Sequence, residues 1–494
     1  MLNFQKNVKC MTQKRHLAVF IVKGKIQIKK ISIIMKKQLL FYLAMTLSLA
    51  EFVRAQDLVM LTGFPPLRNA VSRQYLPEQS IYYCEDLESH YFVLYDIGSP
   101  NSVIVSEFPS YLELKDFEVY EDTVFFCGVF PQSTTPWGFV GQISVQDLFY
   151  NNGPYNIGTY FQLNKAPCPP TAYIATCDRM DVFRDSGYVH LAIVGELEHS
   201  LYYGTSLRRS AFDIWFDGTY WQGKALYQKE EYYKPCDITC TENYVVVSAY
   251  DDDLDYSVLL VFKKITGYPA FPIANNSFRL HDRRFDNNIL VERLLEDDIA
   301  VSHYFFDTAD KIYGTAVHYI NDVSMLPSPP THFSLHYKHG PDAPMSVLRD
   351  MRYKWDDLLL LHDIKDPLWN SLISTIFDFN AYNLSSMIAQ AWYANEDVSL
   401  FSVDNRVQNP FFTLGGNINS YSEPLLTLRA SGSNVCYEPL LINYKDVNIR
   451  FSTGEFEETI NPLLRQRMYT FTPNPQVYEI ENKCGELKKH KSHE

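Results

Sequence analysis

Apolar residues along this chain come in short dense runs divided by polar turns, and within the runs they do not alternate with polar positions. The clearest unit has a strand at 117–120, a turn at Glu121 and Asp122, a continuous apolar strand at 124–130 and another strand at 138–143. A second unit matches it in order, with 238–240, a turn at Glu242 and Asn243, then 244–250 and 257–262. Five weaker copies place a dense second strand at 91–95, 188–194, 299–304, 358–361 and 398–401. Each follows a polar turn: Glu88 and Ser89, 185–187, Asp297 and Asp298, Asp356 and Asp357, and 395–397. A unit that recurs seven times predicts a repeat architecture.

A strand that is apolar at every position is covered on both faces, whereas a sandwich with a wet outer face alternates apolar with polar. Propeller blades meet face to face around an axis and cover their strands in this way. The pattern therefore predicts an all-β chain, a single β-propeller of about seven blades over 56–480, followed by a polar tail at 481–494. The turns are spaced by about 33 to 64 residues, so six or eight blades also fit. Tandem β-sandwiches are the alternative architecture.

In pattern, the region 82–444 resembles secreted bacterial β-propeller proteins in general. The resemblance implies the fold and no active site, because neither the Trp-Asp ends of WD40 repeats nor the regular double glycines of Kelch repeats occur. The segment Asp217, Gly218, Thr219, Tyr220, Trp221 is similar to part of the Asp-box turn of sialidase-like propellers. It occurs once and lacks the preceding Ser, so an Asp-Gly hairpin turn is the preferred reading.

The N-terminus belongs to a different class of segment. Met35, Lys36 and Lys37 precede a twelve-residue apolar stretch at 39–50, then Glu51, Phe52, Val53, Arg54 and Ala55. A charged start, a short apolar centre and small residues before a cut after Ala55 make 35–55 a signal peptide. The stretch is shorter than the roughly 20 residues of helix that span a bilayer. Residues 1–34 carry eight Lys or Arg and no acid, so Met35 is the expected start and 1–34 an upstream mis-start. The protein is expected to be exported: periplasmic, held at the cell surface, or secreted.

The full chain has a net charge of −14, and setting aside 1–55 removes eleven basic residues and one acid, leaving 33 against 57 and a net charge of −24. Such a surface repels nucleic acid and anionic lipid, and no later apolar run is long enough to span a membrane. Eight cysteines follow Ala55, an even number that permits disulfides in an exported chain. Cys236 and Cys240 on one strand would lie about 13 Å apart, too far to bridge each other.

Self-announcing catalytic motifs are absent: no Gly-x-Ser-x-Gly elbow, no His-Glu-x-x-His helix, no phosphate loop. The catalytic residues are unknown at this level. His332, His336 and His339 lie close in sequence, but same-face strand positions four apart are about 13 Å from each other, too far to share an ion. The acidic loop 251–255 lacks calcium-loop spacing and reads as a solvated hairpin tip. No metal and no cofactor is implied.

Aromatic residues are abundant, with 35 Tyr and 32 Phe. Trp221, Tyr220, Tyr232 and Tyr233, with Asp217, fall in the longest interval between turns and are the candidate ligand-binding residues. The expectation is a non-enzymatic recognition module for a glycan or an envelope or extracellular protein. The alternative is a glycan-active hydrolase or lyase that draws its acids from separate blades, with Asp217, Asp251 and Asp253 nearest the aromatic loops. N-terminal sequencing of exported protein should find Gln56 first. Residues 1–34 on the mature chain would overturn both the start and the cleavage site.

Overall fold

The computed structural model describes 59–482, apart from the connections 62–67, 77–78, 87, 97–101, 132–135, 164–171, 202–203, 228–232, 252–255, 265–275, 281–283, 308–311, 327–331, 341–345, 355–356, 366–371, 381–389, 395–397, 406–410, 419–422, 431–436, 442–444, 448–450 and 455–462. Contacts divide the chain into Met1–Ala55 and Gln56–Glu494, and all the described residues belong to the second unit. That unit is all-β. Apart from a π-helical turn at Asp147–Asn151 and a 3-10 turn at Val323–Met325, its described elements are antiparallel strands.

After β1 (Val59–Leu61), the strands follow in sets of four. The first set is β2 (Arg68–Leu76), β3 (Gln79–Glu85), β4 (His90–Asp96) and β5 (Ser102–Phe108). The second is β6 (Glu113–Tyr120), β7 (Thr123–Phe130), β8 (Trp137–Ser144) and β9 (Tyr155–Leu163). The third is β10 (Ala172–Asp185), β11 (Tyr188–Leu201), β12 (Gly204–Phe216) and β13 (Trp221–Tyr227). The fourth is β14 (Tyr233–Cys240), β15 (Tyr244–Asp251), β16 (Tyr256–Lys263) and β17 (Asn276–Leu280). The fifth is β18 (Arg284–Arg293), β19 (Ile299–Asp307), β20 (Ile312–Ile320) and β21 (His332–Gly340). The sixth is β22 (Ser346–Lys354), β23 (Asp357–Lys365), β24 (Leu372–Asn380) and β25 (Gln390–Ala394). The last has three consecutive strands, β26 (Val398–Asn405), β27 (Phe411–Ile418) and β28 (Glu423–Ala430), and β1 pairs with β28 as the fourth.

The C-terminal strands then visit these sets in reverse. β29 (Tyr437–Leu441) adds to β25, β30 (Lys445–Val447) to β21, and β31 (Phe451–Gly454) to β17. β32 (Leu463–Phe471) adds to β9, and β33 (Gln476–Asn482) pairs with β5 through its first half and with β1 through its second. Hydrogen bonding thereby joins the strands into three five-stranded and two nine-stranded sheets. Between sets, the first strands pack in the cyclic order β2, β6, β10, β14, β18, β22, β26 and back to β2.

In the second strands β7 and β15, alternate residues enter different cores, which is why those runs are so densely apolar. Val124 and Phe126 face Phe92, Phe108 and Phe117 of one core, while Phe125 and Cys127 face Ile174 and Leu191 of the next. Val245 and Val247 lie with Phe183 and Ala192, but Val246 lies with Ile289 and Val301. Phe108 packs edge-to-face on Phe126 and Tyr155, with ring centroids 5.3 and 5.8 Å away, the arrangement that aromatic quadrupoles favour.

The repeat units of the sequence correspond to the strand sets with two shifts of phase. The dense run 91–95 lies on β4, a third strand, and 398–401 lies on β26, a first strand. The other five are second strands, as expected. Leu360 and Val246 are fully buried. Leu360→Ala should cost about 2–5 kcal/mol, whereas Glu121→Gln, in an exposed pair with Arg184, should cost no more than about 1 kcal/mol. Equal urea midpoints for the two variants would contradict the two-faced burial.

Candidate functional site

Five of the seven first strands share a local device. In β6, β10, β14, β22 and β26 the pairing with the second strand slips at Lys115, Asp178, Cys236, Arg349 and Phe401 respectively, and β10 slips once more at Ala175. Such a bulge bends a strand and re-aims the side chains that follow it. The positions one and three residues later are Asp116 and Glu118, Arg179 and Asp181, Asp237 and Thr239, Asp350 and Arg352, and Ser402 and Asp404.

These side chains link each first strand to the next. Asp116 accepts from Met180 N (3.0 Å), Asp181 from Cys240 N (2.6 Å) and Asp237 from Val291 N (3.0 Å). Glu292 accepts from Tyr353 N (3.1 Å), Asp350 from Val403 N (3.1 Å) and Asp404 from Gln74 N (2.7 Å). Arg73 completes the circle, donating to Phe117 O (2.9 Å) and to Asp116 Oδ1 (2.8 Å). Two pairs of strands carry a second side-chain bond to a backbone N–H: Thr239 Oγ1 also takes Arg293 N, and Ser402 Oγ takes Ser72 N. The double links keep the same order on both strands, so these neighbours run in the same direction.

Other contacts cross the circle between strands that are not neighbours in it. Arg352 Nη2 lies 2.6 Å from Glu118, Arg73 Nη1 lies 3.5 Å from Asp350, and Arg179 donates to Arg349 O at 3.1 Å. Burial pushes the Glu118 carboxyl up to about 7, against the pull of Arg352 and Arg73. It also raises Asp237 to about 6 and lifts Glu292 well above the ordinary range, each partly offset by an arginine. Burial thus shifts all three acids toward their protonated forms, and arginines oppose the shift. Among the described residues no group of three or more His, Cys, Asp or Glu is disposed to hold a metal.

Sequence reasoning missed this cluster, though a signal was present: an acid, arginine or hydroxyl on both sides of one apolar residue, as in Asp116, Phe117, Glu118 and Asp350, Met351, Arg352. The residues it selected instead are not brought together as a surface. Trp221 is only 3% exposed, and its ring lies over Gly158, where an added Cβ would come within 2.4 Å. Tyr233 is buried beside Tyr227, with ring centroids 6.2 Å apart. Trp221 and Tyr233 each begin a strand, β13 and β14, and each side chain packs into the core. Tyr220 is 57% exposed, and Tyr232 lies outside the described residues. Asp217 accepts from Thr219 N, Tyr220 N and Gln222 Nε2 within its own turn, bonds that hold its carboxyl below the usual range.

Asp251 is buried at the end of β15 rather than solvated, and Asp253 lies outside the described residues. His332, His336 and His339 fall on β21, with side chains outside the description. Cys84, Cys127, Cys177, Cys236 and Cys240 are unbridged.

The exposed large apolar side chains gather at one end of the sets. First-to-second and third-to-fourth connections carry Leu76, Tyr150, Tyr188, Tyr220, Leu295 and Met325. Of the others exposed among the described residues, Tyr111 precedes β6, Leu207 lies on β12, and Met468 and Val477 lie on C-terminal strands. Turns at this end touch across sets: Tyr75 OH donates to Asp122, Arg184 pairs with Glu121, and Lys264 Nζ sits 4.3 Å from the Phe183 ring.

No protein-family model, curated protein or solved structure matches this chain, so the arrangement itself has to carry the functional reading.

The raised acids set a direction for pH dependence. A carboxyl ordinarily near 4.5 that titrates near 7 in the fold leaves the native state holding the extra proton between those values. Its stabilising contribution is therefore full below the lower value and is lost as pH rises through the upper one. Glu118→Gln should flatten the decline of the melting temperature from about pH 5 to 7. An unchanged slope would show that Glu118 does not titrate there.

Proposed function

We propose that this chain is an exported seven-bladed β-propeller that recognises another protein through the end carrying the first-to-second and third-to-fourth connections. The cyclic packing of seven first strands, with β1 completing the last set, supports the propeller reading. Support for export comes from the charged start, apolar stretch and small residues of 35–55. The observation that carries the recognition reading is the gathering of Leu76, Tyr150, Tyr188, Tyr220, Leu295 and Met325 at one end. Tyr and Met are enriched in protein interfaces, and with Trp221 inside the core a protein suits this end better than a sugar.

A non-enzymatic role fits the way the central carboxylates are used. Asp116, Glu118 and Asp350 are paired with Arg73 and Arg352, and six acids accept backbone N–H groups. One observation favours the glycan-active reading as the second choice: burial raises the carboxyls of Glu118 and Glu292, and an acid with a raised titration point is one half of the carboxyl pair that cleaves glycosides.

Crosslinking on the exporting cell followed by calorimetric titration of the captured partner tests the proposal. Tyr188→Ser with Tyr220→Ser should weaken binding about tenfold or more, as for interface anchors. A partner bound with unchanged affinity by that double variant would overturn the assignment of this end. Sugar turnover lost in Glu118→Gln would replace recognition with catalysis.

A further inference from the structure

We propose that Leu295 and Met325 form the docking point for a basic polypeptide segment carrying apolar side chains, an assignment that rests on the recognition reading above. Leu295 is 50% and Met325 52% exposed, and they belong to two turns that are bonded to each other. Val323 N donates to Asp297 O at 2.9 Å, and Asp322 N donates to Asp298 Oδ1 at 2.8 Å. A third turn joins from the neighbouring set, where Glu242 N donates to Glu296 O at 3.0 Å.

Carboxylates fix all three turns from within. Asp297 accepts from Thr241 Oγ1, Asn243 N and Asn243 Nδ2 at 2.7 to 2.9 Å. Asp298 accepts from Tyr319 OH and Asn321 Nδ2, both at 2.9 Å. This bonding holds Glu296 at φ 49° and Asp322 at φ 56°, backbone that costs a non-glycine residue on the order of 1 kcal/mol or more. Two neighbouring turns thus adopt unfavourable backbone while each presents a large apolar side chain to water. A single exposed apolar residue is ordinary; a fixed pair on a strained, rigid support is what an interface anchor needs.

The rim selects the partner's charge. Glu242 and Glu296 are exposed and Asp297 and Asp322 half-buried around the pair. Of the bases nearby, Lys264 directs its ammonium to the carbonyl of Thr241, which leaves the exposed Lys263 and Arg293 against four acids. A second copy of this chain would bring the same acidic rim and a like net charge, and an anionic membrane would be repelled. A cationic segment with apolar side chains satisfies both the rim and the pair.

The whole protein should be titrated with an amphipathic peptide of Lys and Leu, and with its Glu and Leu counterpart, between about 50 and 300 mM salt. The Lys peptide should bind and the Glu peptide should not. Leu295→Ser with Met325→Ser should weaken the Lys peptide about tenfold at every salt concentration, with an unchanged melting temperature because both side chains are exposed. Glu242→Gln with Glu296→Gln should remove most of the salt dependence. Leu207→Ser, exposed on β12 away from this end, should leave peptide affinity unchanged. Equal affinity in the Leu295 and Met325 double variant would overturn this docking point while leaving the recognition reading intact. Self-association abolished by that same variant would overturn the choice of occupant.

Discussion

The fold depends on one interaction, repeated around a circle: a side chain on each first strand bonds the backbone of the next. First strands of neighbouring sets face each other without a backbone ladder, and the bulges turn some of their N–H groups out of the local pairing. A buried N–H without a partner costs about 1–3 kcal/mol. Met180, Cys240, Val291, Tyr353, Val403 and Gln74 would carry that cost if their neighbours' carboxylates were absent. The apolar cores hold sets together face to face, but they are non-directional; the carboxylate links fix the register in which the first strands meet.

Using carboxylates for this task creates a second problem. Acids brought together around a circle repel one another and lose their hydration, and both effects raise their titration points. The guanidiniums of Arg73 and Arg352 answer it from the middle, each touching acids of more than one strand. The answer is incomplete at Glu118, Asp237 and Glu292, where burial still wins. Raised acids are often read as catalytic. Here the need for structural closure explains the same shifts, and the two accounts differ in whether turnover accompanies them.

Two-faced burial made the dense strands legible in the sequence, because no position of β7, β15 or β23 can be polar without facing a core. Phase was harder to read. A polar turn stands at every hairpin, so the turn before β4 and the turn before β26 look like the turn that follows a first strand. The C-terminal strands left almost no pattern, since β30 has three residues and β31 four, each added to an outer edge. A position next to a polar turn says nothing about which face a side chain takes, and for Trp221 and Tyr233, the first residues of β13 and β14, that face is the core.

The central circle and the exposed end are connected through the first strands. The carboxylates that fix those strands lie a few residues before the turns that end them, so each turn leaves a support that cannot give way. That rigidity permits backbone which an isolated turn would abandon. Among the non-glycine residues with positive φ, Glu121, Asn152, Ser186, Glu296 and Asp322 all stand at this end, and Tyr160 on β9 is the exception among those described. A support that tolerates strain can also hold Tyr188, Leu295 or Met325 in water without letting them fold back onto the sheet. In such a fold an end that holds apolar side chains in water is a consequence of how the strands are linked, and turn sequences can change around it while the linked strands stay as they are.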